Sequence, residues 1–277
     1  MKKGIDICYH NGSINFDKFK KAGYSFIIPR DGWGEDGVDP KLIEYVNNAK
    51  AAGVEVPGVY HFIYAANESQ VIQNAKRAIE NVKKAGLPET TVIWCDLEYD
   101  TVDNARDYRR TNLTPAMQKK FIEVFCDYIL SQGYPTGAYV NQDYMSRVVG
   151  KDFGKKYDLW LADYEGGVEY QCLYRQTSGT GVVPGINSNV DTDEFYGQYT
   201  AGTAKPKTTN TGGTNMSKSP FSDVKTTDKK YDHIKACYDA GLIKGYSDGS
   251  FRPNDPITRA DICIVLDRLM KKAGIIK

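Results

Sequence analysis

Two acidic residues stand two positions apart at the end of an apolar segment. Asp96 and Glu98 follow Val92-Ile93-Trp94-Cys95, which has the composition of a buried strand. Side chains alternate between the two faces of a strand, so both carboxyl groups are expected to point the same way. Neighbouring carboxylates repel each other, which raises the proton affinity of one of them and suits it to donate a proton near neutral pH. The spacing indicates acid chemistry; the alternative is a solvated loop after the strand.

The elements that must position these acids alternate along the first two thirds of the chain. Short β-like runs and helical patterns follow one another, which is typical of successive βα units in a parallel sheet or barrel. Strands are predicted at 4–9, 25–30, 56–64, 91–98, 136–141, 158–163, 172–177 and 190–195, and helices at 15–22, 40–52, 68–85 and 114–132. Eight strands favour a closed barrel, and the close spacing of the later ones predicts an irregular barrel.

A barrel brings further acids to the same place. Active sites of parallel barrels lie at the carboxyl ends of the strands. The acids at or near such ends are Asp6, Asp96, Glu98 and Asp191. Four unrelated solvated acids are not expected to collect on one rim, so the barrel favours catalysis over the solvated loop.

Composition limits the class of protein. The 277 residues are 41% hydrophobic, which suffices for a large domain and a small one, and no apolar run approaches the ~20 residues that span a bilayer. We therefore expect no membrane partner. The start of the chain lacks the apolar region of a signal peptide, and the six cysteines are scattered, so we expect synthesis in a reducing cytoplasm and no disulfide framework. With three histidines and no close Cys or His pairs, we expect neither a zinc site nor another cofactor.

Charge and composition divide the chain into an acidic body and a basic tail. Residues 1–197 carry 22 basic and 27 acidic residues, whereas the remainder carries 14 and 8. A basic tail is typical of proteins that meet a polyanion, although a solvated basic surface explains the charge equally well. Basic residues do not cluster with aromatic ones, so nucleic acid is not expected. Residues 198–219 contain almost nothing apolar and predict a flexible linker to a small unit at 220–277, with helices near 228–240 and 258–273.

Several motifs of the body occur in a specific order. They are Gly4-Ile5-Asp6 with Asn11-Gly12, Gly58-Val59-Tyr60-His61-Phe62, Asp96-Leu97-Glu98, Leu159-Trp160-Leu161-Ala162, and Gln176 followed by Gly185-Ile186 and Asn189-Val190-Asp191. On these motifs residues 4–197 resemble the family 25 glycoside hydrolases, the Chalaropsis-type lysozymes. The resemblance implies an irregular eight-stranded (β/α) barrel that cleaves the β-1,4 bond between N-acetylmuramic acid and N-acetylglucosamine in peptidoglycan glycan strands. It further implies that Glu98 is the general acid/base and that Asp6, Asp96 and Asp191 are the other cleft acids.

The nucleophile of the expected retaining mechanism stays open. Asp96 lies beside Glu98 on one strand face and cannot flank the scissile bond from the other side. Either Asp6 or Asp191 attacks the anomeric carbon, or the 2-acetamido oxygen of the sugar does so with Asp96 orienting it, which is the favoured route.

Candidate sugar contacts come from aromatic residues and one amide. These substrate-binding candidates are Trp33, Tyr60, Tyr64, Tyr139, Trp160 and Gln176. For each aromatic residue a place in the core is at least as good an interpretation. His61 is predicted to be a core histidine. Arg175 stands where the family commonly has Trp, which predicts a changed subsite preference.

The tail carries a second set of motifs. They are Phe221-Ser222-Asp223-Val224, Ala240-Gly241-Leu242-Ile243-Lys244-Gly245-Tyr246, Asp248-Gly249-Ser250-Phe251-Arg252-Pro253 and Ile257-Thr258-Arg259-Ala260-Asp261. On these motifs residues 220–274 resemble one S-layer homology repeat, a small, mostly α-helical unit. The resemblance implies binding to an anionic secondary cell-wall polymer through Arg259, with Arg252 and Lys244 as weaker contacts. Such repeats usually come in threes, so self-association through the repeat is predicted.

The two resemblances together predict a peptidoglycan hydrolase tethered to the cell wall. The preferred interpretation is a phage endolysin, made in the cytoplasm and acting at the bacterial wall after release. A bacterial autolysin is one alternative. A barrel that has lost catalysis and serves as a lectin, and a chitinase-like enzyme, are the others.

Overall fold

The structure is a computed structural model that describes residues 2–165, 170, 172–196, 219–225, 228, 230–246 and 248–272. The chain forms two compact units, Met1–Thr209 and Asn210–Lys277. The linker predicted at 198–219 lies, except for Ser219, outside the described residues. Every helix in the described ranges is too short or too polar to cross a bilayer.

The larger unit is a closed barrel, which confirms the predicted fold. Its strands are β1 (Lys2–Ile7), β2 (Tyr24–Trp33), β3 (Gly58–Phe62), β4 (Val92–Asp96), β5 (Thr136–Asn141), β6 (Asp158–Ala162), β7 (Tyr174–Gly181) and β8 (Val190–Phe195). They are hydrogen-bonded in chain order, and β8 closes the barrel against β1. Strands β1 to β7 are parallel to one another, whereas β8 is antiparallel to both of its neighbours, β7 and β1. The antiparallel β8 is what makes the barrel irregular.

Helices surround the barrel unevenly. They are α1 (Phe16–Lys21), α2 (Leu42–Ala52), α3 (Glu68–Lys84), α4 (Tyr99–Arg109), α5 (Pro115–Ser131) and the short α6 (Gln142–Tyr144), which runs into a π-helical turn at Met145–Val149. Asn67 and Thr114 cap α3 and α5 by accepting a backbone N–H with their side chains, and Pro115 opens α5. No helix had been predicted at α4, and β4 ends at Asp96, two residues earlier than predicted.

The barrel interior and the layer outside it are separate apolar cores. The interior below the mouth is filled mainly by aromatic side chains: Phe26, Ile28, Val92, Trp94, Trp160, Leu173 and Tyr174. Two glycines make room for them, because a Cβ at Gly4 would overlap the Phe26 ring and one at Gly137 would overlap the Trp94 ring. Above this floor the inward positions become polar, and these polar positions form the site.

The smaller unit has a modest core. It contains helices α7 (Tyr231–Asp239) and α8 (Arg259–Lys272), and its core consists of Phe221 and Val224 together with Tyr231 and Ile234 of α7. No described residue of α8 is buried. Since apolar residues normally seek a partner surface, the exposure of α8 leaves an apolar side of this unit uncovered.

Candidate active site

Asp96 and Glu98 meet at the carboxyl end of β4. Asp96 is the last residue of the strand and is 5% exposed, whereas Glu98 is half-buried and is the N-cap residue of α4. The Thr101 hydroxyl accepts the Glu98 backbone N–H at 3.2 Å, which fixes the turn between strand and helix. The strand thus positions Asp96, and the start of α4 positions Glu98.

Both carboxyl groups of this pair bind protons more tightly than usual. Burial raises the pKa of Asp96 well above its ordinary value, and the neighbouring Glu98 raises it further. Burial also raises the pKa of Glu98, and a hydrogen bond with Asp96 partly offsets that rise. Among the described residues no donor reaches Asp96 Oδ1. The two carboxyl groups therefore bind protons as a pair rather than independently.

The remaining predicted acids lie on the two strands that close the barrel. Asp6 of β1 is directly opposite Asp191 of β8, and Asp193 lies two positions further along β8. Asp6 is 5% exposed and Asp193 is 1% exposed, whereas Asp191 is half-buried. Burial raises the pKa of Asp191 to about 6 and that of Asp193 to about 7, and it raises the pKa of Asp6 well above the ordinary range. The predicted acids therefore do collect at one mouth, with Asp193 beneath them.

Two predicted sugar contacts are buried and cannot stack on or bind a sugar directly. Trp160 is 1% exposed, and its Nε1 donates to Asp193 Oδ1 at 2.8 Å. Gln176 is 3% exposed, and its Nε2 donates to Asp6 Oδ2 at 2.7 Å. The prediction of direct substrate contact is wrong for both, because alternation along β6 and β7 points their side chains into the barrel interior. Both position acids instead.

The other aromatic candidates lie nearer the cleft. Tyr60 and Tyr139 are half-buried and pack edge-on against Trp160, with ring centroids 6.0 and 5.0 Å away. The Tyr139 hydroxyl donates to Gln176 Oε1 at 2.9 Å. Trp33 and Tyr64 line a cavity of about 370 Å³ together with Gly34, Glu35, Asp36, Asn104 and Arg109. Trp33 and Tyr64 thus belong to a recognisable pocket beside the acids.

Two residues of the mouth were missed from the sequence. Arg30, on the same face of β2 as Phe26 and Ile28, donates to Asp39 from Nε and lies over the Trp33 ring at 4.9 Å. Tyr164, which is 56% exposed, donates its hydroxyl to Gln176 Oε1 at 2.7 Å. Both stand at or just after the carboxyl end of a predicted strand, which is the signal that would have found them.

Two further sequence interpretations concern residues around the site. His61 is fully buried, with Nδ1 3.0 Å from Asp31 Oδ2 and Nε2 2.9 Å from the Gly34 carbonyl oxygen, so it is a core histidine. Arg175, at the position where a Trp had been expected, pairs with Asp163 at 2.9 Å. Its guanidinium therefore holds the start of the β6–β7 connection.

The small unit carries a cavity of its own. It measures about 520 Å³, and its lining includes Lys244, Tyr246, Arg252 and Arg268. Arg252 also forms an ion pair with Asp248 at 2.8 Å. Arg259 is the first residue of α8 and is exposed outside the cavity lining. Two of the three basic candidates, Lys244 and Arg252, thus share one cavity.

Comparison with known proteins agrees with this geometry. The chain is 29% identical over 168 residues to lysozyme-like protein 5 of Caenorhabditis elegans, which covers 60% of this chain and 74% of that protein. It is 24% identical over 196 residues to the autolytic lysozyme of Clostridium acetobutylicum, covering 70% of this chain and 55% of that protein. The modular autolysin LytC of Streptococcus pneumoniae, solved with a synthetic peptidoglycan ligand, superposes with a TM-score of 0.61 at 25% identity. That match covers 70% of this chain and 46% of LytC, so the chain spans less than half of its length.

Family models assign both units. Residues 220–263 match the S-layer homology domain, and residues 5–180 match the glycosyl hydrolases family 25. The second match covers most of the barrel and includes Asp6, Asp96 and Glu98. The chain therefore belongs to glycosyl hydrolase family 25.

Proposed function

We propose that the protein is an N-acetylmuramidase that hydrolyses the β-1,4 bond between N-acetylmuramic acid and N-acetylglucosamine in peptidoglycan. The observation that carries the proposal is the buried carboxyl pair of Asp96 and Glu98 at a barrel mouth that also holds Asp6 and Asp191. Glycosidases act through such paired carboxyl groups. The relatives named lysozymes and autolysins support peptidoglycan as the substrate.

Glu98 is the residue that reaches the substrate first. It is less buried than Asp96 and stands at the N-terminus of α4, above the barrel floor. In the first step Glu98 donates the proton of the pair to the glycosidic oxygen, and the bond from that oxygen to the anomeric carbon breaks. In the second step the Glu98 carboxylate takes a proton from water, whose oxygen attacks the anomeric carbon and displaces the group that bonded to that carbon in the first step. The first step leaves Glu98 as a carboxylate, and the second step returns it to its protonated form.

A retaining route through the substrate's own acetamido group fits the burial of the acids. The 2-acetamido oxygen forms a bond to the anomeric carbon as the glycosidic bond breaks, and Asp96 orients the acetamido N–H. Asp6 is unsuited to attack, because its Oδ2 accepts a hydrogen bond from Gln176 Nε2 at 2.7 Å. A glycan whose N-acetyl groups have been removed should bind and lose nearly all turnover. Full turnover of that glycan would rule out the acetamido route and leave Asp191 as the attacking group.

The cavity at Trp33 and Tyr64 is a site for a sugar ring in the same glycan strand. Aromatic faces stack on the C–H faces of sugars, and the Asn104 amide and the Arg109–Glu35 ion pair, with atoms 3.1 Å apart, offer partners for hydroxyl and acetamido groups. Asn104→Ala should raise KM for long glycan strands more than for short oligosaccharides and leave kcat nearly unchanged. Ser146→Ala, a change on the exposed surface outside this cavity, is the matched control. An equal effect of Asn104→Ala on long and short substrates would contradict this assignment.

The S-layer homology repeat is the wall anchor. Its cavity is lined by three basic side chains, Lys244, Arg252 and Arg268, and by two acidic ones, Asp255 and Asp261. Arg259, outside the lining at the start of α8, adds a further positive charge for an anionic wall polymer. Binding of the full chain to purified walls should weaken as salt increases, and Lys244→Glu should weaken it further. Walls stripped of their anionic polymer should lose binding. Binding that is independent of both salt and polymer would exclude this role.

The repeat also supports self-association. On α8 an apolar stripe with helical spacing, Ile262, Leu266 and Leu269, is 43–48% exposed. Burying such a stripe against a second copy of the repeat would remove it from water. Native mass spectrometry should show oligomers at micromolar concentration, and Leu266→Glu should convert them to monomers while Lys271→Glu, a charge reversal on the same helix, should not. Only monomers in the unaltered protein would contradict self-association.

The biological setting that we propose is that of a phage endolysin acting at the bacterial wall. All six cysteines are free, which suits synthesis in a reducing compartment. A host that makes the protein in its cytoplasm should lyse only after its membrane is permeabilised. Lysis without permeabilisation would favour an autolysin released by a route of its own.

The bond that is cleaved is identified by the ends of the products. Mass spectrometry of walls digested by the full chain and then reduced should find reduced muramic acid residues. Reduced N-acetylglucosamine ends would identify a different glycosidase, and cleavage of chitin at a comparable rate would favour the chitinase-like alternative.

A further inference from the structure

The floor of the cleft holds a second carboxyl pair, Asp6 and Asp193, beneath the pair formed by Asp96 and Glu98. In the antiparallel ladder between β1 and β8, Asp193 lies opposite Gly4 and Asp191 lies opposite Asp6. Asp193 and Asp6 are therefore diagonal neighbours on the inward face. Gly4 has no side chain to separate them, and the charge of Asp193 raises the pKa of Asp6 in addition to the effect of burial. Two buried neighbouring carboxyl groups cannot both ionise without a large cost, so one of them keeps a proton.

Asp6 and Asp193 each accept a hydrogen bond from a buried side chain, Gln176 and Trp160 respectively. Gln176 Oε1 accepts hydrogen bonds from the hydroxyls of Tyr139 and Tyr164, at 2.9 and 2.7 Å. The amide is thereby oriented so that its Nε2 must face Asp6, to which it donates at 2.7 Å. Trp160 Nε1 donates to Asp193 Oδ1 at 2.8 Å. These donors stabilise one negative charge on the pair, and burial opposes a second.

The groups around Asp6 and Asp193 supply little positive charge to stabilise a second carboxylate. The other titratable groups that face the pair from the surrounding strands and loops are Tyr60, Asp96, Glu98, Tyr139, Tyr164 and Asp191. All of them are acids or neutral phenols. The cation at the mouth, Arg30, is committed to Asp39, to which its Nε and Nη2 donate at 3.2 and 3.1 Å.

We propose that Asp193 is a positioning residue that shares one proton with Asp6 at working pH. Sharing keeps Asp6 from acting as a carboxylate nucleophile and limits the negative charge beneath Asp96 and Glu98. The inference deepens the proposed muramidase function and rests on it for its catalytic consequence. The shared proton itself is a property of the free protein.

The proton is tested first in the free protein, without substrate. Carbon-13 NMR of the full chain labelled at the aspartate carboxyl carbons should show Asp6 and Asp193 titrating as a coupled pair, with a last midpoint well above ordinary aspartate values. In Asp193→Asn the new amide donates to Asp6, so the Asp6 midpoint should fall by at least one pH unit. Two independent titrations, both at ordinary aspartate values, would overturn the proposal.

The catalytic consequence is tested separately. Asp193→Asn keeps the acceptor for Trp160 and should fold, yet it leaves Asp6 ionised beneath Asp96 and Glu98. The value of kcat at pH 6 should therefore fall about tenfold, and the pH–rate profile should move. Asp31→Asn changes another buried aspartate, bonded to His61, and should lower the melting temperature without moving that profile. If neither variant moves the pH–rate profile, Asp193 is merely structural and the proposal fails. The absence of a coupled titration of Asp6 and Asp193 by NMR would also overturn the proposal, even when the protein cleaves no peptidoglycan.

Discussion

Asp96 is a buried acid whose ionisation works against the fold, so Asp96→Asn should stabilise the barrel and inactivate it at the same time. The carboxyl group is 5% exposed, and none of the described residues donates to its Oδ1. Its pKa is raised above the unfolded value, so the stability that it contributes is complete at low pH and is lost as pH rises through the folded pKa. Asparagine never ionises and is free of that loss.

The size of the stability gain follows from the buried Asp96 carboxyl oxygen that has no hydrogen-bond donor among the described residues. An unsatisfied buried polar group costs about 1–3 kcal/mol. For a unit of about 200 residues, each kcal/mol corresponds to about 2–4 °C in Tm, so Asp96→Asn should raise the Tm of the barrel by about 2–10 °C at pH 7. The gain should vanish near pH 4, where the aspartate of the parent protein is protonated. Turnover of wall fragments should fall about 100-fold or more, because the pair loses its shared proton.

The assay is thermal unfolding of parent and variant across pH 4–8. Asp31→Asn is the matched control: Asp31 is also buried, and its Oδ1 likewise has no donor among the described residues, but its Oδ2 is hydrogen-bonded to His61 Nδ1 at 3.0 Å and to Asn81 Nδ2 at 3.0 Å. Losing these charge-assisted bonds should destabilise by about 1.5–3 kcal/mol at pH 7. An Asp96→Asn protein that is less stable than the parent at pH 7, or whose stability difference does not change with pH, would refute the reasoning.

Two further predictions concern packing in the two units. Gly137→Ala should destabilise the barrel by about 1–3 kcal/mol in urea unfolding, because the added methyl group would overlap the Asp158 carbonyl oxygen and the Trp94 ring, and an unchanged midpoint would contradict the packing described. Phe221→Ala removes a side chain that is 4% exposed and stacks on Phe251 at 5.0 Å, so it should cost about 3–5 kcal/mol and unfold the S-layer homology unit. Wall pull-down by this variant should fail while its turnover of soluble fragments stays unchanged; loss of both would show that the barrel depends on the small unit.

Much of the barrel could be predicted from the sequence because its strands are separated by strong signals. Helices α1, α3 and α5 begin at side chains that cap their first turn, Asn15, Asn67 and Thr114. Strand alternation places Asp6, Asp96 and Asp191 at one rim. Helix α4 could not be predicted in the same way. Its described residues bury only Thr101 and Ala105, so it lacks the apolar periodicity that marks a helix packed on a barrel.

The depth of each side chain in the barrel was the harder property to predict. Trp160 and Gln176 were candidates for sugar contact, yet both lie beneath the cleft, because depth depends on the register between neighbouring strands. The Asn-Val-Asp pattern favoured Asp191 and passed over Asp193, which is one inward position deeper on the same strand. Arg30 ends the predicted second strand, so its position at the mouth could have been predicted from the sequence.

The central claim is that Glu98 protonates a glycosidic bond of peptidoglycan. Its most direct test compares the full chain with Glu98→Gln on purified Gram-positive walls, measuring clearing and wall binding together. Glutamine keeps the size of the side chain and removes the acid, so clearing should fall by about 10²–10⁴ while wall binding is retained. Undiminished clearing by Glu98→Gln would contradict the claim, and walls that both proteins bind but neither clears would identify the barrel as a lectin.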